Sequence, residues 1–156
     1  MKRKYIRLIF LIYLITLAKI IVFKYPLDRL REIASGWSPE VFWEGIDNAN
    51  FEVLRTIKMY IKYWSVRSIH SFDNLVGNVL IFIPLGFLLP LIGDKTKNFF
   101  ISMMASLVVI LGIEYFQLYT AFGVFDVDDI ILNLTGAVIG YICYIVFRKK
   151  LQTRRR

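Results

Sequence analysis

Leu75-Val76-Gly77-Asn78-Val79-Leu80-Ile81-Phe82-Ile83-Pro84-Leu85-Gly86-Phe87-Leu88-Leu89-Pro90-Leu91-Ile92 contains no ionisable side chain, and its reading decides the fold. A half-buried strand would alternate apolar with polar, and a surface helix would carry one apolar stripe; this run does neither. At about 1.5 Å per residue its length matches a hydrocarbon layer of about 30 Å. The solvent for this stretch is lipid. Working outward, residues 6–23, 99–119 and 130–147 form comparable blocks, so the expectation is four membrane-spanning helices.

Composition agrees. Of 156 residues, 57% are hydrophobic and 21% charged, with a mean hydropathy of +0.56, which argues against a soluble domain. The expected architecture is a single all-α integral membrane domain over residues 1–156. A net charge of +8 raises nucleic acid as a partner, but apolar blocks make a membrane surface the better reading. Cys143 stands alone, which excludes an intramolecular disulfide and a cysteine-based metal site. No cofactor is expected. The basic start Met1-Lys2-Arg3-Lys4 resembles a secretory signal, yet Phe23-Lys24-Tyr25-Pro26 offers no small-residue cleavage site, so residues 6–23 read as a retained anchor.

Four crossings put both ends on one side. Lys2, Arg3, Lys4 and Arg7, the turn with Lys95 and Lys97, and the tail with Arg148, Lys149, Lys150, Arg154, Arg155 and Arg156 are offset only by Asp94. The long connection from Lys24 to Asp73 is balanced, with seven basic and seven acidic residues, and the last loop carries Asp126, Asp128 and Asp129. By the positive-inside rule both termini are cytoplasmic, in a multi-pass protein whose long connection and acidic loop face outward.

That connection is expected to be helical in part. Ser38-Pro39-Glu40 is a helix start, with proline at the first position, and the helix is drawn through Trp43. Between residues 51 and 64, Val53, Leu54, Ile57, Tyr60, Ile61 and Trp64 recur at helical spacing with Arg55, Lys58 and Lys62 between them. With Trp37, Trp43, Tyr63 and Trp64 as anchors, this amphipathic segment between the first two spans lies along the outer surface, or forms a lid over a site between spans.

Polar residues inside spans need a reason, since lipid penalises unpaired polar groups by several kcal/mol. Asn74 and Asn78 are four apart and share a face, Glu114 and Gln117 are three apart, and Asp129 and Asn133 are four apart. Asn78, Glu114 and Asn133 each lie about 6 to 8 Å from the outer end of their span, and Lys19 lies at a similar depth. One reading is interhelical hydrogen bonds for the amides and helix-start carboxylates for Asp73, Asp126, Asp128 and Asp129. The other is a shared site of Asn74, Asn78, Glu114, Gln117, Asp126, Asp129 and Asn133, with Lys19 as counter-ion to Glu114 or snorkelling to the interface. Pro84-Leu85-Gly86 is expected to bend the second span. Gly136-Ala137-Val138-Ile139-Gly140 is a G-x-x-x-G step that permits close approach of another helix, including one from a second copy in a homo-oligomer.

The run from Asn74 to Pro90 resembles one signature of the VanZ-like membrane proteins, and Ile113-Glu114-Tyr115-Phe116-Gln117 followed by Phe125-Asp126-Val127-Asp128-Asp129-Ile130-Ile131-Leu132-Asn133-Leu134-Thr135-Gly136 resembles the other. Many members have arginine just before the Phe-Asp pair; here that neighbourhood is Ala121-Phe122-Gly123-Val124. The resemblance implies a bacterial plasma-membrane protein linked to low-level resistance to the glycopeptide teicoplanin or to envelope stress, and supplies no reaction.

Three function classes follow. A binding protein would receive an outer-leaflet lipid or a lipid-linked cell-wall precursor in the polar cluster. An intramembrane lipid-modifying enzyme would use Glu114, Asp126 and Asp129 as general acid and base, or to hold Mg²⁺ or Ca²⁺. His70 reads as an outer-surface residue outside that cluster. A transporter would need oligomers, because four spans are few for a transport path. The first reading is preferred.

Overall fold

The computed structural model describes residues 3–22, 26–62 and 69–153. Tyr63 and Trp64, the side chains of His70, Asp73 and Asn74, and the basic residues Lys2, Lys24, Arg154, Arg155 and Arg156 lie outside the described set. Among the described residues the chain is all-helical: α1 (Arg3–Val22), α2 (Leu27–Ser35), α3 (Pro39–Asp47), α4 (Arg55–Lys62), α5 (Ile69–Ile92), α6 (Phe99–Thr120) and α7 (Val127–Thr153), with a 3-10 turn at Lys95–Lys97. There is no strand among these residues, only a parallel bridge between Asn50 and Asp126.

Three helices are long and apolar enough to cross a membrane, at Leu75–Ile92, Phe99–Thr120 and Val127–Lys150. The sequence leads one to expect four. The first helix, α1, is not among the three; its twenty residues include Arg3, Lys4, Arg7 and Lys19.

The centre of the bundle is α5. Its Phe82, Leu85 and Leu89 meet Leu17 of α1 and Ile110 of α6 in the core. Both Pro84 and Pro90 lie within the uninterrupted helix, and one turn before Pro84 the hydroxyl of Tyr13 donates to the carbonyl of Ile81 at 2.9 Å. The closest packing is between α5 and α7. A methyl group added to Gly136, Gly140 or Gly86 would overlap the backbone of Val79, Ile83 or Ala137 respectively. The G-x-x-x-G step therefore faces α5 of the same chain, and glycine lets the two backbones touch where any side chain would hold them apart.

The helix ends follow local chemistry. The side chain of Asn98 accepts from the Ile101 amide at the start of α6, and Ala121 ends that helix in the left-handed conformation, at φ 57°. Tyr141 donates to the Lys97 carbonyl at 2.7 Å and fixes α7 against the turn between α5 and α6. Away from the core, the long helices expose Phe100, Met104 and Val108 on α6 and Ile142 and Val146 on α7. Outward-facing apolar side chains along whole helices are what a lipid-solvated surface requires.

The connection between α1 and α5 is more structured than its sequence suggests. The helix beginning at Pro39 continues to Asp47, past Trp43, and α2 has no counterpart in the sequence reading. Trp37 docks on the end of α6, its indole N–H donating to the Tyr119 carbonyl at 2.6 Å with the two rings 5.3 Å apart. Trp43 is exposed.

Candidate functional site

The seams that pack the helices also place the polar groups. On α6 the buried residues are Ser102, Ser106, Ile110 and Glu114, a stripe spaced by four, so Glu114 is the C-terminal end of the face that α6 turns towards the bundle. On α7, Gly136, Ala137 and Gly140 form the seam against α5, and buried Asn133 lies one turn before it, towards the α6–α7 loop. On α5, Asn78 precedes Phe82, Leu85 and Leu89 on the same face. Each helix thus packs with small or apolar residues through most of its depth and ends its seam in a polar one.

Those ends meet at a cavity of about 470 Å³. Asn78, Glu114, Gln117, Asp126, Asp129 and Asn133 all line it, six of the eight residues anticipated from sequence. Lys19 is exposed and is not in the lining; its neighbours Ile20 and Ile21 are. The eighth, Asn74, has a side chain outside the described set. Tyr60 of α4 and the α6–α7 loop residues Phe122, Gly123 and Val124 close the outer side. Gly123 allows this loop to settle onto Gln117: a Cβ there would lie 2.9 Å from Gln117 Nε2.

Within the cavity the hydrogen bonds are unevenly distributed. The amide of Asn78 donates to Asp129 Oδ1 at 2.6 Å. The backbone amide of Asp126 is within reach of the Glu114 carboxylate. Glu114 is only 2% exposed and Asn133 only 3%, yet Glu114 Oε2 and Asn133 Oδ1 have no hydrogen-bond partner among the described residues. Leaving such a buried group unsatisfied costs about 1–3 kcal/mol, and more for a charge. Two orphaned acceptors lining one cavity therefore mark a place for a donor.

The acidic loop divides its carboxylates between two tasks. Asp126 accepts from Asn50 Nδ2 at 2.8 Å, from the Thr56 hydroxyl at 2.6 Å and from the Asp128 amide at 2.8 Å. Fully buried Asp128 accepts from the backbone amides of Leu54 at 2.5 Å, Thr56 at 2.8 Å and Ile57 at 3.1 Å. It belongs to the first turn of α7 while accepting amides at the start of α4, so one carboxylate faces two positive helix ends. Leu54 is held at φ 66°, a left-handed conformation unfavourable for leucine. The bridge through Asn50 and Asp126, with Asn50 N–H on Phe125 O at 2.9 Å and Val127 N–H on Asn50 O at 3.0 Å, completes the clamp. Asp126 and Asp128 thus fasten the connection between α1 and α5 to α7, while Glu114, Asp129 and Asn133 face the cavity.

No group of three or more His, Cys, Asp or Glu residues among those described is placed to hold a metal ion. Sequence reasoning did not single out Asn50, and no local pattern could have done so: it reaches Asp126 from 76 residues away. Tyr60 had a signal, as one of the apolar set on α4.

Comparisons with known proteins bear on this arrangement. The family model described as VanZ/LLP1 matches residues 10–148, which contain every residue of the cavity. The chain is 32% identical over 85 residues to Protein VanZ of Enterococcus faecium. That match covers 54% of this chain and 52% of the relative, so this chain spans about half the length of that protein. No solved structure matches it.

Proposed function

We propose the following of this chain, which belongs to the VanZ/LLP1 family: it is a multi-pass protein of the bacterial plasma membrane that binds an outer-leaflet lipid or lipid-linked cell-wall precursor at the cavity. In doing so it confers low-level glycopeptide resistance of the teicoplanin type. The observation that carries the reading is the pair of unpartnered, buried acceptors, Glu114 Oε2 and Asn133 Oδ1, lining one cavity at the ends of α6 and α7. Charge supports an outward-facing cavity: Arg3, Lys4, Arg7, Lys95, Lys97, Arg148, Lys149 and Lys150 gather at the opposite end. An agent that acts on the outer surface would meet a protein whose polar cavity lies at the same level.

On this reading α1 is the fourth span and both termini are cytoplasmic. In support, twenty residues reach about 30 Å. Ile6 and Leu17 are buried, while Leu8, Ile12 and Ile15 are exposed, and lipid is the solvent that leaves such a face at rest.

Glu114→Gln and Asp129→Asn should each abolish protection against teicoplanin in a host expressing the protein, with unchanged amounts in the membrane. Unaltered tolerance in both variants ends the reading. A second reading, an intramembrane lipid-modifying enzyme, draws on Glu114 and Asp129 sharing the cavity. Mass analysis of co-purified lipid separates the two: an intact, retained species supports binding, and a chemically altered one supports catalysis.

A further inference from the structure

We infer that the group this cavity receives is a protonated primary amine, an inference that rests on the cavity being the binding site proposed above. Among the described residues its lining contains the carboxylates of Glu114, Asp126 and Asp129 and no Lys, Arg or His. Both orphaned atoms, Glu114 Oε2 and Asn133 Oδ1, are acceptors, so what they lack is donors. Asn78, the amide best placed to supply one, already donates to Asp129.

The chemistry of candidate ligands follows from this inventory. A phosphate or another anion brings acceptors to the two orphaned acceptors and negative charge to the buried Glu114 carboxylate. A quaternary ammonium brings charge without a donor. A hydroxyl brings a donor without charge. A primary ammonium has three N–H donors, a positive charge and no acceptor, and so meets both requirements at once. Below the polar ring the walls are apolar, with Ile20, Ile21, Ile81, Phe82 and Ile113, which suits a methylene stem behind the charged head.

Such an amine has two sources, the headgroup of a membrane aminolipid or a water-side amine on a peptide or sugar, and the test separates them. The purified full-length protein is placed in nanodiscs of phosphatidylcholine doped with phosphatidylethanolamine or with phosphatidylglycerol, then released and weighed intact with its retained lipids. In parallel, lysine amide is titrated into phosphatidylcholine nanodiscs and thermal unfolding is followed. The expected result is at least a tenfold preference for retained ethanolamine lipid over both choline and glycerol lipids, or saturable stabilisation by lysine amide. Either one supports the ammonium and identifies its source. Glu114→Gln should reduce the preference, or the stabilisation, to within twofold of none. The headgroup series on the unaltered protein needs no variant, so a folding defect in Glu114→Gln leaves the test intact. Equal retention of choline and ethanolamine lipids together with no effect of lysine amide, or a preference for glycerol lipid, overturns the proposal. Amine selectivity in a protein whose Glu114→Gln variant still protects cells refutes the resistance reading alone. Lost protection without amine selectivity refutes the ammonium alone.

Discussion

Asp128→Asn is the substitution that best separates the clamp from the cavity. In the folded chain the Asp128 carboxylate accepts three backbone amides, those of Leu54, Thr56 and Ile57, from a fully buried position. Asparagine has the same shape, but it keeps one acceptor oxygen, loses the charge and turns an NH₂ towards backbone N–H groups. Hydrogen bonds to a charged group contribute about 1.5–3 kcal/mol each, and neutral ones about 1 kcal/mol. Converting one or two charged bonds to neutral and losing another costs about 3 kcal/mol, with full additivity not expected. Relief of the left-handed Leu54 returns only a fraction of that. At 1.4 kcal/mol per factor of ten, the open form of the α4 clamp becomes roughly 100-fold more populated. Amide hydrogen exchange on protein in nanodiscs reads this directly: exchange at Leu54, Thr56 and Ile57 should rise by about two orders of magnitude, while amides of the α5–α7 seam change little. Asp129→Asn should leave those three amides protected. Unchanged exchange in Asp128→Asn, or equal loss in Asp129→Asn, would refute the assignment of Asp128 to the clamp.

Three further outcomes follow from the packing. Gly140→Ala drives a methyl into the carbonyl of Ile83 and should destabilise by about 1–3 kcal/mol or more, whereas Gly112→Ala, which meets nothing within 4 Å, should be neutral or slightly stabilising; thermal unfolding in detergent compares them. Trp37→Phe removes the indole N–H on Tyr119 while keeping a ring against it, and should increase fluorescence mobility of a probe on α3 without altering the α5–α7 seam. At the turn between α5 and α6, Lys97, at 2.5 Å, and Arg3, at 2.6 Å, hold Asp94 below the usual carboxylate range. Because its folded value is depressed, the tether of α1 to this turn is present above the ordinary carboxylate value and fades as pH falls through the lower one. The distance between spin labels placed at positions 4 and 95 should lengthen on acidification below about pH 4, and Asp94→Asn should remove that dependence.

The lipid-facing helices were legible because their signal is additive along the chain. Eighteen residues without an ionisable group at 75–92 need no tertiary context to be read, and the limits expected for α6, residues 99–119, lie within one residue of its observed ones. The weaker case was α1, whose basic residues at both ends dilute the same signal. In the connection, Ser38-Pro39 gave the start of α3, whereas α2 starts after Pro26 with no side-chain cap and its polar, charged stretch Leu27–Ser35 lacked an apolar run long enough to be seen.

By itself the sequence determined the three helices long and apolar enough to cross a membrane, the charge asymmetry between their ends and the positions of Asn78, Glu114 and Asn133 along them, because each depends only on residue type and axial rise. Only the tertiary structure decided which of these groups meet. Rotation of each helix is set by close packing, Gly136 and Gly140 against α5 and the 102–114 stripe of α6 turned inward, and no local pattern encodes it. The same holds for the acidic loop. Asp126, Asp128 and Asp129 are near neighbours of identical chemistry, and the distant segment from Asn50 to Ile57 takes two of them for its own amides and hydroxyl while Asp129 is left to the cavity. A carboxylate's role here is fixed by the donors that reach it from distant segments, 72 residues away for Thr56 on Asp128 and 51 for Asn78 on Asp129.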